Sequence, residues 1–233
     1  MQNFSIIIAV YNESNNLKKL IEEINNSLSL KYDYELIIVD DGSNDNSNNV
    51  IKELKDSVPI KLIEHERNLG QSRSILSGIK NSSYNTIVTI DGDGQNNPYD
   101  IPSLLNIYFS SDEISLVGGI RKKRMDNPIK ILTSKIANKI RSYVLNDDCS
   151  DTGCSLKVFN KEIFMRFPYF NGIHRFLPAL YKGYGHKTRF VSVDHRSRVS
   201  GLSKYGTFDR LFKGIYDLIR VKIIISKYKK INE

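Results

Sequence analysis

Short, almost wholly apolar runs of strand length recur along the chain, separated by stretches with helical periodicity. "FSIIIAV" at 4–10, "YELIIVD" at 34–40, "PIKLIEH" at 59–65, "NTIVTID" at 85–91 and "ISLVGGI" at 114–120 alternate with amphipathic segments at 14–30, 44–55, 71–81 and 98–109. A strand that is apolar on both faces has to be covered on both faces, a condition met by parallel strands joined through crossover helices. The expected fold is therefore an α/β sandwich: a mostly parallel central sheet, helices on both sides, right-handed crossovers. Helix starts are visible at Ser14 and at Asn97, which precedes Pro98 and its helix-compatible φ. After residue 121 the rhythm changes to a long basic amphipathic stretch, a short strand "CSLKVF", the segment "HRFLPALYKGYG", a strand "TRFVSVDH" and a final helix from about 206 to 228.

The 233 residues, 40% hydrophobic and 26% charged, have the composition of a soluble globular protein with a full core. The N-terminal residues have no basic region or small-residue cleavage site, and the longest apolar runs fall short of the roughly 20 residues of a membrane span. No leader and no spanning segment are expected, which points to the cytoplasm. Cys149 and Cys154 form no C-x-x-C and have no His at metal spacing, so they read as packing thiols rather than a disulfide or a zinc site.

In open α/β sheets ligands bind beyond the carboxyl ends of the strands. Those ends are all polar here: "VYNES", "DDGSND", "HERNLGQSRS" and "DGDGQ". Asp40 and Asp41 can accept hydrogen bonds from a base or a ribose, and Gly70 lets backbone approach a ligand closely. Taken singly, "DDGS" is also a turn signal. "DGDGQ" weighs more, because Asp91, Asp93 and Gln95 bring oxygens from alternate positions to one strand end. That set suits Mg²⁺ or Mn²⁺, hard cations that take one or two carboxylates and complete the octahedron with water and phosphate oxygens. An EF-hand loop counted from Asp91 would need Gly at its sixth position and Glu at its twelfth, where Asn96 and Pro102 stand. A plain Asp-Gly turn between strand and helix is the structural alternative.

Together, in this order and spacing, "IIIAVYNE", "IIVDDGSND", "RNLGQSRSILSGI" and "TIDGDGQNNP" resemble the family 2 glycosyltransferases with the GT-A fold. "DTGCSLKVF", "HRFLPAL" and "HRSRVSGLSKYG" narrow the resemblance to the branch of dolichol-phosphate mannosyltransferases and bacterial polyprenyl-phosphate glycosyltransferases. The resemblance implies one GT-A domain over 1–233, with a nucleotide-sugar half at 1–121, an acceptor-side half at 122–205 and a basic amphipathic helix at 206–233. It implies inverting transfer from a UDP- or GDP-sugar to a polyprenyl phosphate, assisted by Mg²⁺ or Mn²⁺. Tyr11, Glu13 and Asp41 would contact the base and ribose, Asp91 would lie against the nucleotide, and Asp93 and Gln95 would reach the metal on the diphosphate. Arg121 matches a position that meets the acceptor phosphate, while Arg196, Arg198, Ser203 and Lys204 fall in a loop that closes over the donor diphosphate. The chain departs from the pattern at Gly94, where many relatives have an apolar residue, and it shows no C-terminal membrane helices of the kind many bacterial relatives carry.

The chemistry follows independently of the resemblance. Displacing a nucleoside diphosphate from an anomeric carbon builds negative charge on the leaving phosphates, which a cation with Arg and Lys side chains stabilises. A phosphate monoester has a second pKa near 6, so such an acceptor is an anionic nucleophile without a strong base. A saccharide hydroxyl, the alternative acceptor, would need a base, and Asp151 is the candidate; with a phosphate acceptor Asp151 has a positioning role.

The net charge of +8 is concentrated after residue 121 and favours an anionic partner. In 127–145, Ile129, Leu132, Ile136, Ile140 and Tyr143 share one helical stripe with Lys135 and Lys139 elsewhere, and 207–230 repeats the style. Both suit peripheral binding to the cytoplasmic face of an anionic membrane, alone or beside a membrane-embedded partner, and both equally suit core-facing helices. A nucleic-acid partner is not expected, because contacts for it should be basic and aromatic whereas these strand ends are acidic. A nucleotidyltransferase would carry a glycine-rich, Lys/Arg-bearing loop where "AVYNES" stands. A catalytically dead partner subunit has no support, since the metal and diphosphate positions are intact.

Overall fold

Seven strands form one sheet in the computed structural model, which describes residues 2–28, 31–55, 58–122, 138–197 and 207–232. In chain order the elements are β1 (Asn3–Val10), α1 (Ser14–Leu28), β2 (Asp33–Asp40), α2 (Ser47–Leu54), β3 (Ile60–Glu64), α3 (Gln71–Lys80), β4 (Thr86–Asp91), α4 (Ile101–Tyr108) and β5 (Ile114–Arg121). Then come a helical stretch at 138–145, here α5, and β6 (Lys157–Asn160), α6 (Lys161–Met165), α7 (Leu177–Gly183), β7 (Lys187–Val193) and α8 (Thr207–Asn232). The strand order is β3-β2-β1-β4-β6-β5-β7.

The sheet is mostly parallel, as the apolar runs require: β1 pairs in parallel with β2 and β4, β2 with β3, and β5 with β7. β6 is the exception, running antiparallel to both β4 and β5. The chain leaves β5 at the carboxyl end of the sheet and β6 re-enters at that same end, so no crossover is needed.

Alternate residues of β1 serve opposite faces. Phe4, Ile6, Ile8 and Val10 pack with Leu17, Leu20, Ile21 and Ile24 of α1, whose spacing of three and four puts them on one stripe. Ile7 points the other way, with Ile37 and Val39 of β2, toward Ile75, Leu76 and Ile79 of α3 and Leu180 and Tyr181 of α7. Each such fully buried aliphatic side chain contributes about 1.5–3 kcal/mol. Asn97 caps the turn Pro98–Asp100 by accepting from Tyr99 N (3.3 Å), and α4 follows directly.

α8 extends four residues past its expected end and is fixed to the domain along one face. Ile225 lies against Gly183, the Tyr184 and Tyr228 rings stack at 3.7 Å, and buried Asp217 pairs with Arg175 at 3.0 Å. On its other side Ile215, Ile219 and Ile223, at four-residue intervals, are exposed. In α5, Ile140 and Tyr143 are also exposed, while Arg141 turns inward to Asp147 at 3.0 Å, so at those two positions the stripe does not face the core. Ile129, Leu132 and Ile136 lie outside the described residues. Cys149 and Cys154 are buried free thiols, and burial pushes Cys149 up to about 11.

Candidate active site

The loops after β1 and β2 are stitched together. Asn12 donates from Nδ2 to Asn44 Oδ1 (2.8 Å), accepts Asn44 N at its Oδ1 (2.9 Å) and gives its own N–H to Ser43 Oγ (3.0 Å). Glu13 N donates to Ser47 Oγ (3.0 Å), and its buried carboxylate accepts from Asn16 Nδ2 (2.8 Å). Half-buried Tyr11 ends up on this fixed loop, beside the carboxyl end of β2.

Asp40 and Asp41 both point into structure. Asp40 accepts Ser43 N at 3.0 Å and Asn48 Nδ2 at 3.4 Å. Asp41 accepts the backbone N–H groups of Leu69 (3.0 Å) and Gly70 (2.8 Å), and its Oδ1 lies 2.7 Å from His65 Nδ1. The carboxylate assigned to a nucleotide by resemblance thus also anchors the loop from β3 to α3, and it draws Gly70 toward the end of β2.

At the end of β4, Asp91 accepts from Gln71 Nε2 at 2.7 Å and gives its N–H to Ser155 Oγ at 3.2 Å. Asp93 Oδ1 accepts Gln95 N at 3.1 Å. Gln95 is held to the end of β7: its Nε2 donates to Arg196 O (3.4 Å) and its carbonyl accepts Arg196 N (2.8 Å). Gly94 has φ +71°, a left-handed conformation that costs an ordinary side chain about 1 kcal/mol or more. Glycine meets that backbone demand without strain. Desolvation, and then the Asp93 charge, push the Asp91 carboxyl up to about 6, against the opposing Ser155 hydrogen bond and the Lys157 and Arg121 charges. Two carboxylates that resist joint ionisation are a donor set that a cation relieves. Among the described residues no three His, Cys, Asp or Glu side chains gather to hold a metal unaided. Two carboxylates supplemented by water and phosphate fit Mg²⁺ or Mn²⁺.

The antiparallel entry of β6 brings the 151–156 turn over this strand end. Arg121, the last residue of β5, donates from Nε and Nη2 to the two oxygens of Asp151, both at 2.7 Å, and Arg121 N adds a third bond to Oδ2 at 3.2 Å. Gly153 leaves room beside the pair, since a Cβ there would stand 2.9 Å from Arg121 Nη2. Lys157 is buried, with its Nζ donating to the carbonyls of Thr152 and Cys154 beneath the turn. Ser155 Oγ donates to Asn96 Oδ1 (2.6 Å), and Thr89 Oγ1 donates to Ser155 O (2.7 Å), tying the turn to β4. Arg121 and Lys157 are close enough to Asp91 to lower its proton affinity, so the acidic and basic groups form one cluster. Both Asp151 oxygens accept from a guanidinium, the geometry of a held ion pair rather than of a base awaiting a proton.

Arg196 is committed elsewhere, with Nη1 on Glu23 Oε2 (2.6 Å) and Nη2 on Asn97 Oδ1 (2.7 Å). Arg198, Ser203 and Lys204 lie outside the described residues. The structure adds Gln71, Ser155, Lys157, Asn96 and His65 to the site's framework. A lysine inside the apolar run "CSLKVF" is the one sequence signal that marks any of them, because a charge in a buried strand requires partners.

The Glycosyl transferase family 2 model matches residues 5–167. Dodecaprenyl-phosphate galacturonate synthase from Rhizobium johnstonii is 32% identical over 97% of this chain and 68% of its own length. Undecaprenyl-phosphate 4-deoxy-4-formamido-L-arabinose transferase from Shewanella sediminis is 32% identical over 92% of this chain and 65% of its own. The chain thus spans about two thirds of the length of these relatives. Among solved structures, glucosyl-3-phosphoglycerate synthase from Mycobacterium tuberculosis with Mg²⁺ and UDP superposes with a TM-score of 0.70 at 15% identity, covering 94% of this chain and 78% of that one. The same enzyme with Mn²⁺, UDP-glucose and glycerol 3-phosphate gives 0.68. At that identity the likeness establishes the GT-A fold alone.

Proposed function

The chain belongs to glycosyl transferase family 2, and from that premise we propose that it moves a sugar from a UDP- or GDP-sugar to a polyprenyl phosphate, with inversion, at the cytoplasmic face of a membrane. The observation that carries this reading is the meeting, at the carboxyl edge of the sheet, of the Asp91–Asp93 pair and the Arg121–Asp151 ion pair. The first suits a nucleotide diphosphate with its cation. The second suits an acceptor that brings its own negative charge, because an Asp151 whose two oxygens already hold a guanidinium is not arranged to take a proton from a hydroxyl. The names of the relatives, both polyprenyl-phosphate transfer enzymes, support that acceptor.

In this reading Asp91, Asp93 and Gln95 hold Mg²⁺ or Mn²⁺, the ions found in the structural neighbours. Bound there, the ion neutralises charge developing on the leaving diphosphate. Tyr11, Glu13, Asp40, Asp41 and Gly70 form the base and ribose edge. Arg121 orients the acceptor phosphate while Asp151 holds the guanidinium in plane. Lys204, with Arg196, Arg198 and Ser203, closes over the diphosphate; Arg196 exchanges its Glu23 partner for phosphate when it does so. An acceptor phosphate oxygen attacks the anomeric carbon as the bond to the nucleoside diphosphate breaks, one displacement on the opposite face. The exposed stripe of α8 keeps the enzyme at the lipid surface, alone or beside a membrane-embedded partner. The test is incubation with a panel of nucleotide sugars, Mn²⁺ and polyprenyl phosphate, with product mass as the readout. A glycosylated lipid phosphate and a free nucleoside diphosphate are expected, whereas transfer to saccharide hydroxyls alone would overturn the acceptor.

A further inference from the structure

His65 is the last residue of the motif "PIKLIEH" and no part of the metal or acceptor chemistry, yet its side chain is only 10% exposed and both ring nitrogens are engaged. Nδ1 lies 2.7 Å from Asp41 Oδ1, and Nε2 lies 2.9 Å from Ser77 Oγ, well inside α3. The carboxylate fixes one proton: an acceptor-only group requires a proton on Nδ1, while Nε2 pairs with the Ser77 hydroxyl, which can donate or accept. Backbone continues the connection, with His65 N donating to Asp40 O at 2.8 Å as the β2–β3 ladder ends. His65 therefore joins three things at once: the end of β2, the start of the 65–70 loop and the body of α3.

What this junction holds is the path to the cation site. Asp41 can receive Leu69 N and Gly70 N together only if its carboxylate plane is fixed, and His65 Nδ1 is the side-chain donor that fixes it. Gly70 is the N-cap of α3, and the next residue, Gln71, donates from Nε2 to Asp91 Oδ1 at 2.7 Å. The chain of contacts Ser77, His65, Asp41, Gly70, Gln71, Asp91 runs from the middle of a helix to the carboxylate of the donor site, with each side-chain link at 2.9 Å or less.

We propose that His65 is a positioning residue for donor binding: by orienting Asp41 it sets the 65–70 loop and, through Gln71, the Asp91 carboxylate. The proposal rests on the nucleotide-sugar reading of the site, and it makes the two nitrogens of one ring unequal. Nδ1 does the positioning, and Nε2 anchors.

Two substitutions separate those roles. In His65→Asn the amide nitrogen overlaps Nδ1 and keeps the bond to Asp41; in His65→Gln it overlaps Nε2 and keeps only the bond to Ser77. Amide hydrogen exchange at Leu69 and Gly70 and calorimetric binding of UDP and of GDP with Mn²⁺ are measured on both variants and on the wild type, with thermal unfolding to verify the fold. His65→Gln is expected to speed loop exchange and to weaken the bound nucleotide about tenfold each, the scale of one charge-assisted hydrogen bond, and His65→Asn to recover most of both losses. Unchanged loop exchange in His65→Gln, or equal losses in the two variants, overturns the network. Faster exchange with undiminished nucleotide affinity overturns its role in donor binding. A wild-type protein that binds neither nucleotide overturns the donor reading and this role together, while the exchange result still decides whether His65 holds the loop.

Discussion

Asp91 keeps its proton to about pH 6 because desolvation and the neighbouring Asp93 charge both oppose its ionised form. A divalent cation needs that carboxylate ionised, so below pH 6 it must displace the proton. Mn²⁺ affinity is expected to rise between pH 5 and pH 7 and then to level off, with uptake of cation at low pH releasing about one proton, measurable by calorimetry in two buffers of different ionisation heat. Stability of the cation-free protein has the opposite slope. A carboxyl whose folded-state pKa is raised contributes fully below the ordinary carboxylate range, and that contribution is lost as pH climbs through about 6. Asp91→Asn should flatten both profiles. Asp93→Ala and Asp93→Asn should each lower transfer by at least about a hundredfold, since the amide keeps the shape but not the charge, and EDTA should act reversibly; full activity in chelator would refute the cation's part. Asp151 gives a separate test. If it only holds Arg121, Asp151→Asn lowers turnover and leaves the ascending limb of the pH–rate profile in place; loss of that limb would make it the base.

Among the elements, α8 has two faces with different partners. Asp217, Val221 and Ile225 bind it to the domain, while Ile215, Ile219 and Ile223, exposed by 48%, 56% and 49%, form an apolar line with Lys222 and Lys227 beside it. Its 26 residues include no window apolar enough to cross a membrane. Sedimentation with anionic vesicles should therefore be strong at low salt and weaken as the Debye length falls from about 10 Å at 0.1 M to about 3 Å at 1 M. Ile219→Ser with Ile223→Ser should reduce it further, and binding indifferent to lipid charge would remove this face from consideration. β1 to β5 and the helices between them were legible because their periodicity is local. The direction of β6 was not: a four-residue strand carries no mark of its partner, and the pairing of Thr86 with Asn160 is a long-range event. Likewise Asp91 and Asp93 announce themselves as paired carboxylates at a strand end. Gln71 and Ser155 become part of the site only through where α3 starts and where the antiparallel turn lands.

At the scale of the whole molecule, β6 lies between β4 and β5, so the strand that closes the acceptor side is hydrogen-bonded into the middle of the sheet. The boundary near residue 121 separates two halves in sequence and none in space. Residues 1–121 expressed alone would retain β1 to β4 but leave one margin of β4 bare, and β5, whose partners among the described residues are β6 and β7, would lose both. Leu116 and Val117, fully buried in the intact protein, would then sit on a strand with free N–H and C=O groups on both sides, a template for joining the same strand of another copy. Such a fragment is expected to be recovered as aggregates, whereas the intact chain stays in the supernatant under the same conditions. A soluble, nucleotide-binding 1–121 fragment would show that β1 to β4 fold without β6 beside them. The chain thus shields its own β-rich interior from intermolecular association by using late segments to cap early ones, and a ribosome must pass residue 193 before that protection is complete.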